Sequence, residues 1–202
     1  MAAVKVGVLG GTFDPVHLGH VALADHARRQ LGLERVLWIP AGEPWRKRDR
    51  TISPAEQRCE MVRLAIAGDE SAELSTMEVD RDGPSYSVET LARLARDCPG
   101  WDLHLIMGLD ALLDLPNWHE PARLVRLATL AVAARGGQRP DGAGLEKLLP
   151  GLDGSVVWLD MPAIEVSGTD VRRRASEGAS LNGLLPASVE RYVLEHGLYH
   201  AE

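Results

Sequence analysis

Short apolar runs alternate along the chain with longer segments whose apolar residues recur at helical spacing. The first run, Lys5–Leu9, ends at two glycines. In the next segment, Leu18–Leu31, apolar residues recur every three or four positions, which predicts a helix. The alternation continues to the end of the chain. It therefore predicts an α/β protein with a mostly parallel sheet and helices on both faces.

Five later runs of the same kind predict further strands. They are Arg35–Ile39, Leu74–Val79, Leu103–Met107, Leu130–Ala134 and Val156–Leu159. Four more helices are predicted from a capping box at Ser53–Glu56 to about Ala67, from a cap at Ser87 to about Arg96, from about Gly168, and from about Pro186 to His196. The glycine-rich stretch Gly136–Gly144 predicts a surface loop. We interpret residues 1–202 as one Rossmann-like, doubly wound domain with a small C-terminal helical extension.

Composition narrows the class of protein. The 202 residues are 45% hydrophobic and 25% charged, which is ordinary for a globular protein. No apolar run approaches the ~20 residues of a membrane span, and the N-terminus lacks signal-peptide features, so we expect a cytoplasmic protein without a membrane partner. The net charge of −7 argues against broad nucleic-acid binding. Cys59 and Cys98 lack a CxxC partner and are expected to be small hydrophobes in a reducing compartment.

The strongest chemical signal is the run GGTFDPVHLGH, Gly10–His20, between the first strand and the first helix. Glycines let the backbone approach a phosphate, and a helix N-terminus offers free N–H groups. His17 and His20 are three residues apart, so they are predicted to share one helix face and to donate to phosphate oxygens. Helix capping and metal ligation are the alternatives. No HExxH motif or third ligand accompanies the pair, so no protein metal site is expected.

The run is neither a dinucleotide-binding GxGxxG fingerprint nor a P-loop. It resembles the HxGH signature of the nucleotidyltransferase superfamily, and the chain from about Lys5 to Tyr199 is similar to the bacterial nicotinate-nucleotide adenylyltransferase family. Further patches carry the resemblance: Gly42–Lys47 with Gln57, Arg58 and Met61; Ser85–Leu91; Met107–Asp110 with Trp118; and Val166–Arg172. The chain departs from the family pattern at Trp45-Arg46 for Pro-His, Ser87 for threonine, Glu89 for aspartate and Gly168 for serine.

The resemblance implies that a mononucleotide phosphate attacks the α-phosphorus of ATP, giving nicotinate adenine dinucleotide and pyrophosphate in NAD biosynthesis. The attacking phosphate is already anionic, so we expect catalysis by positioning and electrostatics, without a covalent intermediate. The implied small-molecule partners are ATP and nicotinate mononucleotide, with Mg²⁺ accompanying ATP. A homo-oligomer is left open, and no nucleic-acid partner is expected.

The resemblance also implies roles for particular residues. His17, His20 and Arg172 are expected to be catalytic, through contacts with the triphosphate. The residues expected to bind ATP or phosphate are Gly10, Gly11, Thr12, Phe13, Lys47, Gly108, Asp110, Ser167 and Thr169. Those expected to bind the mononucleotide are Ser87, Asp110 and Trp118, with Trp118 stacking on the pyridine ring. The C-terminal helices, about 168–199, are expected to complete the active site.

Several interpretations stay open at this stage. Ser167 and Thr169 could serve only as helix caps, Trp118 could be a packing residue, and the basic run Arg46–Arg50 could be a solvated loop. Pantetheine-phosphate adenylyltransferase shares the HxGH site but is usually shorter and lacks a patch like Ser85–Leu91. A nicotinamide-specific enzyme is a closer alternative. A non-catalytic nucleotide sensor or a regulatory nucleic-acid-binding protein is a third, against which the presence of both histidines and Arg172 counts.

Overall fold

In the computed structural model, which describes residues 3–44, 52–134, 139–162 and 164–200, six strands form one sheet. They are β1 Val4–Gly11, β2 Arg35–Pro40, β3 Ala72–Leu74, β4 Trp101–Gly108, β5 Thr129–Ala133 and β6 Val156–Leu159. Their order across the sheet is β3-β2-β1-β4-β5-β6, and each neighbouring pair is parallel. This is the strand order of a Rossmann-like doubly wound sheet, so the predicted fold class is confirmed.

Eight α-helices occur in the described ranges. They are α1 Leu18–Leu31, α2 Ala55–Ala65, α3 Ser87–Asp97, α4 Leu109–Leu113, α5 Pro121–Leu127, α6 Gly142–Leu148, α7 Gly168–Ser176 and α8 Ala187–Glu195. Within the described part of the chain, none of these helices has the length and apolar character needed to cross a membrane. The predicted bounds of α1 are confirmed, and α7 and α8 begin within one residue of their predicted starts.

Hydrophobic side chains cover both faces of the sheet, because successive residues of a strand point to opposite sides. On β4, Leu103 and Leu105 join a core that contains residues of α3, α4, α5 and α6. Ile106 on the same strand joins the other core, which contains residues of α1, α2, α7 and α8. Strands buried on both faces are apolar throughout their length, which explains why they were evident as short apolar runs.

The strand order fixes where a ligand can enter. The chain moves outward from β1 to β3 and then returns to the other side of β1 at β4. The connections of β1 and β4 therefore leave the sheet in opposite directions, and a crevice opens beyond their carboxyl ends. Gly10 and Gly11 end β1, and Gly108 ends β4.

The predicted strand Leu74–Val79 is wrong in its bounds. The observed β3 covers only Ala72–Leu74, and the chain turns after it. In that turn, the Thr76 hydroxyl donates to the Asp80 carboxylate at 2.6 Å, and the Asp80 N–H donates to the Thr76 carbonyl at 2.8 Å. Local side-chain hydrogen bonds of this kind compete with a strand ladder, so the strand ends early.

The predicted caps of two helices are also wrong. The N-cap of α2 is Pro54, whose side chain has no polar group, so no capping box forms. Ser53 instead uses its carbonyl to accept from Arg58 at 2.9 Å. The N-cap of α3 is Tyr86, and Ser87 is its first helical residue. These helix starts are set by tertiary contacts, whereas the prediction assumed a local cap.

The loop prediction for Gly136–Gly144 is wrong at its end, and residues 135–138 lie outside the described ranges. Helix α6 begins at Gly142, because the Asp141 carboxylate accepts a hydrogen bond of 2.8 Å from the Gly144 N–H. That cap stabilises a helix start despite two glycines. Sequence reasoning also missed α4 and α5, although Pro121 at the start of α5 is a recognisable signal.

Candidate active site

The loop after β1 is shaped by Phe13. This residue has a φ of 49°, a left-handed conformation that bulky residues rarely adopt. Its buried ring lies 5.6 Å from the Trp38 ring, centroid to centroid. A Cβ atom on Gly11 would lie 3.2 Å from the Phe13 ring, so the glycine lets the ring fold back against the strand. As a result, the backbone of Gly10, Gly11 and Thr12 faces an open cavity.

His17 and His20 share a face at the start of α1, as their spacing predicted. Their rings stack at a centroid distance of 3.7 Å and an angle of 19°. The His17 backbone N–H donates to Nδ1 of His20 at 3.2 Å, so neutral His20 carries its proton on Nε2. Gly19 lies between them, and a Cβ atom there would lie 3.0 Å from Nδ1 of His17. The HxGH spacing therefore produces a paired donor surface at a helix N-terminus.

Two cavities open at the carboxyl edge of the sheet. The first, which we call the Ser167 cavity, has a volume of about 260 Å³. It lies between the start of α1, the ends of β4 and β5, and the segment that leads into α7. Four predicted site residues line it: His17, His20, Gly108 and Ser167. Its walls also carry the apolar side chains of Leu23, Met161, Ile164 and Val166.

The second cavity, which we call the Trp118 cavity, has a volume of about 390 Å³. It lies beyond the ends of β1, β2 and β4. The predicted site residues that line it are Gly10, Gly11, Thr12, His20, Ser87, Gly108 and Trp118. Three residues, His20, Leu23 and Gly108, line both cavities, so the two spaces meet at the histidine pair.

Trp118 is held in place by the short helical turn that precedes it. Residues Leu115–Asn117 form a 3₁₀ helix, and the Trp118 backbone N–H donates to the Leu115 carbonyl at 2.9 Å. The indole Nε1 donates to the Asp114 carboxylate at 3.3 Å. The ring is half-buried, with one part packed on the apolar core and another part facing the cavity.

The start of α7 brings a second helix N-terminus to the site. The Ser167 hydroxyl caps this helix by accepting from the Asp170 N–H at 3.1 Å. Arg172, one turn later, donates through Nη1 to the Asp14 carbonyl at 2.6 Å and through Nη2 to the Thr169 hydroxyl at 3.1 Å. A Cβ atom on Gly168 would lie 3.1 Å from Nη1, so the guanidinium lies beside the wall of the Ser167 cavity.

Some predicted residues are not brought to the cavities. Asp110, in the first turn of α4, is exposed, and in the described chain neither it nor Thr169 lines a cavity. Lys47 lies outside the described residues, together with Trp45 and Arg46. Phe13 and Arg172 also line neither of the two cavities, and the roles predicted for all of the site residues stay predictions. Across the described ranges, no group of three or more His, Cys, Asp or Glu side chains could hold a metal ion.

Sequence reasoning did not assign a site role to Arg58, Glu78 or Tyr199, which surround the site. Arg58 is 2% exposed, and burial lowers its pKa while the negative charge of Asp14 opposes that effect. Burial also raises the pKa of Glu78, which lines the Trp118 cavity, and that of Tyr199. The signal available for Arg58 was its place in a patch that carries the family resemblance.

The sequence is similar to those of known proteins over nearly its whole length. A family model described as cytidylyltransferase-like matches residues 8–174. A protein of Dehalococcoides mccartyi named probable nicotinate-nucleotide adenylyltransferase is 42% identical over 204 residues, which cover 100% of both chains. A relative of the same name from Roseiflexus sp. is 42% identical over 98% of this chain and 100% of its own.

Solved structures share the fold. Nicotinic acid mononucleotide adenylyltransferase of Plasmodium falciparum, complexed with NaAD, superposes with a TM-score of 0.79 at 17% identity, covering 96% of this chain and 97% of its own. A putative nicotinate-nucleotide adenylyltransferase from Vibrio parahaemolyticus gives 0.70 at 17% identity, over 100% and 98% of the two chains. From the family match and the full-length relatives, we conclude that the chain belongs to the nicotinate-nucleotide adenylyltransferase family of cytidylyltransferase-like proteins.

Proposed function

We propose that the protein transfers the AMP moiety of ATP to nicotinate mononucleotide, giving nicotinate adenine dinucleotide and pyrophosphate. The observation that carries this proposal is the meeting of two separate cavities at His20 and Gly108. A reaction that joins two nucleotides needs two binding sites whose phosphate ends face each other. The names of the full-length relatives, and the NaAD bound by the Plasmodium falciparum protein, support the choice of substrates.

We assign ATP to the Ser167 cavity. The starts of α1 and α7 both border this cavity, and helix N-termini favour anionic groups. The apolar walls at Met161 and Ile164 offer a surface for the adenine ring. Lys47 is assigned to the triphosphate by its place in the family's loop alone. In this arrangement the C-terminal helices complete the site, since Ser167 and Arg172 belong to that part of the chain.

We assign nicotinate mononucleotide to the Trp118 cavity. An aromatic ring such as that of Trp118 is a suitable stacking surface for a pyridine ring. The hydroxyl of Ser87 and the backbone N–H groups of the β1 loop are available for the ribose and the phosphate. The phosphate would then lie at the junction of the two cavities, next to His20.

The chemistry follows from this placement. A phosphate oxygen of the mononucleotide forms a bond to the α-phosphorus, and the bond from that phosphorus to the β-bridging oxygen breaks. The electron pair leaves with pyrophosphate. The attacking phosphate oxygen is already an anion, so it needs no general base. Because Nδ1 of His20 accepts a backbone hydrogen bond, its Nε2–H is the ring donor that we assign to the phosphate oxygens. His17 and the Arg172 guanidinium stabilise the charge that accumulates on the departing group.

Mg²⁺ belongs to this proposal as the partner of ATP. It supplies positive charge to the triphosphate when bound, and it commonly retains water ligands and needs few protein groups. The part of the chain that the structure describes offers no cluster of three or more metal-binding side chains. The cytoplasmic location remains a prediction. Whether the protein forms a homo-oligomer remains open.

A steady-state assay tests the proposal. Pyrophosphate release is measured with ATP and Mg²⁺, and nicotinate mononucleotide is compared with nicotinamide mononucleotide. We expect a strong preference for the nicotinate compound. A preference for the amide would keep the reaction but change the substrate, and no turnover with either compound would overturn the proposal.

A further inference from the structure

Gly42, two residues beyond the end of β2, is held on both sides by buried side chains. Its N–H donates to the Ser85 hydroxyl at 2.9 Å, and its carbonyl accepts from Nη2 of Arg58 at 3.4 Å. A Cβ atom on Gly42 would lie 2.2 Å from the Glu78 carbonyl oxygen, so only glycine fits there. Its neighbours Ala41 and Pro44 line the Trp118 cavity, so the position of Gly42 sets one wall of that cavity.

Arg58 joins this wall to the loop after β1. Its Nη1 donates to the Thr12 carbonyl at 2.9 Å, and its Nε donates to the Ser53 carbonyl at 2.9 Å. A buried charge is stable only when its hydrogen-bonding groups are satisfied, and here backbone carbonyls of three separate segments do so. The flat guanidinium fork matches this arrangement, and a lysine ammonium does not reproduce it.

Ser85 is fixed in turn by Glu78. The Glu78 carboxylate accepts from Thr90 at 2.5 Å, and the neighbouring Ser85 hydroxyl, acting as a donor, opposes the rise in the pKa of that carboxylate. A serine hydroxyl has one proton to donate. With its proton directed to Glu78, the Ser85 oxygen presents a lone pair to the Gly42 N–H. The Ser85 N–H also donates to the Glu43 carbonyl at 3.0 Å, which aligns the two segments.

From these contacts we propose that Arg58, Ser85 and Glu78 are positioning residues for the mononucleotide cavity, and that they act on the substrate through Gly42 and Thr12. This inference rests on the proposed function. It assigns the three side chains to one substrate: the Trp118 cavity depends on them, whereas the Ser167 cavity is bordered by other segments.

The first test is the variant Ser85→Ala, which removes the acceptor for the Gly42 N–H. We expect the KM for nicotinate mononucleotide to rise about tenfold, as suits the loss of one hydrogen bond at a buried position. The KM for ATP should change by less than about twofold. Ser85→Thr keeps a hydroxyl and should recover most of the loss. The matched control is Ser188→Ala on α8, which removes a comparable hydrogen bond to the Leu64 carbonyl on α2.

A double-mutant cycle then tests the order of the contacts. Glu78→Gln should raise the mononucleotide KM in the wild-type background but add little in the Ser85→Ala background, because Glu78 acts through Ser85. Equal effects in both backgrounds would mean that Glu78 contacts the ligand directly and would overturn the relay. Arg58→Lys should show the same preference for the mononucleotide KM. If that variant does not fold, the Ser85 and Glu78 variants still decide the question.

The two proposals fail in different ways. An active wild-type enzyme whose Ser85→Ala variant shows equal changes in both KM values, or no change, would overturn the positioning role alone. Failure of Ser85→Thr to recover the loss would do the same. A wild-type protein that turns over neither mononucleotide would overturn the proposed function and, with it, this inference.

Discussion

The Tyr199 hydroxyl donates a hydrogen bond of 2.8 Å to Oδ1 of Asp14, which joins the C-terminal segment to the loop after β1. The carbonyl of the same aspartate accepts from Arg172 on α7. The Leu18 N–H, at the start of α1, donates to the Leu184 carbonyl at 2.9 Å. The segment after β6 therefore supports the β1 loop, and the position of the histidine pair depends on it.

Tyr199→Phe removes this hydroxyl and keeps the ring. We expect a loss of about 1 kcal/mol in the free energy of unfolding, which is typical for one buried hydrogen bond. Turnover should fall as well, because the β1 loop loses a support. Urea unfolding and steady-state kinetics measure the two effects. Tyr192→Phe is the matched control, since that ring stacks on His196 at the end of α8. An equal loss in both variants would contradict the prediction.

His20→Ala removes the donor at the junction of the cavities. We expect kcat to fall by roughly 10²-fold or more, as for other groups that stabilise transition-state charge. The half-buried ring contributes stacking with His17 and an edge contact with Phe13, so the free energy of unfolding should fall by only about 1 kcal/mol. His26→Ala, on the same helix, is the control. Retained activity in His20→Ala would mean that the phosphates bind elsewhere.

Trp118→Ala should weaken binding of nicotinate mononucleotide far more than binding of ATP, because the indole faces one cavity only. Isothermal titration of each substrate measures the two affinities separately. Trp101→Ala is the control, since Trp101 begins β4 at the opposite edge of the sheet. If both substrates lost affinity equally, Trp118 would be a structural residue.

Ser167→Ala and Asp141→Ala form a matched pair, because each removes the side-chain cap of a helix. Each should cost about 1 kcal/mol of stability. Only Ser167 lines a cavity, so only its variant should raise the KM for ATP. Thermal unfolding and initial-rate kinetics test both statements. A normal KM for ATP in Ser167→Ala would leave this serine as a cap alone.

Glu78 should make stability depend on pH. Burial raises its pKa, Glu89 adds to the rise, and Arg81, Thr90 and Ser85 oppose it. The folded protein therefore binds this proton more tightly than the unfolded chain. The stability that results is fully present below the unfolded-state pKa and is lost as pH rises through the folded-state pKa.

Glu78→Gln removes that dependence. Measured by urea unfolding between about pH 4 and pH 8, the stability of the variant relative to wild type should increase as pH rises. A difference for Glu78→Gln that is flat, or that decreases with pH, would show that the folded protein does not hold this proton more tightly.

The features predicted well from the sequence were those that local spacing determines. Helix α1 ends at Gly32, which has a φ of 64°, and this local signal fixed its end. The shared face of His17 and His20 follows from a separation of three residues. Arg58 and Tyr199 were missed because their partners, Thr12 and Asp14, are 46 and 185 residues away. No local pattern reveals contacts between residues so far apart, and the early turn at Thr76 depended on a similar detail of side-chain geometry.

The shared wall of the two cavities has a consequence for the end of the reaction. Each substrate occupies one cavity, but the dinucleotide that forms occupies both. It keeps the contacts of the mononucleotide and of the AMP moiety, while the contacts to pyrophosphate are lost. A molecule that bridges two linked sites binds more tightly than either half, because binding of the second half loses little additional translational and rotational entropy. We therefore expect release of the dinucleotide to limit the overall rate, and a stable analogue long enough to bridge His20 to inhibit more strongly than either mononucleotide.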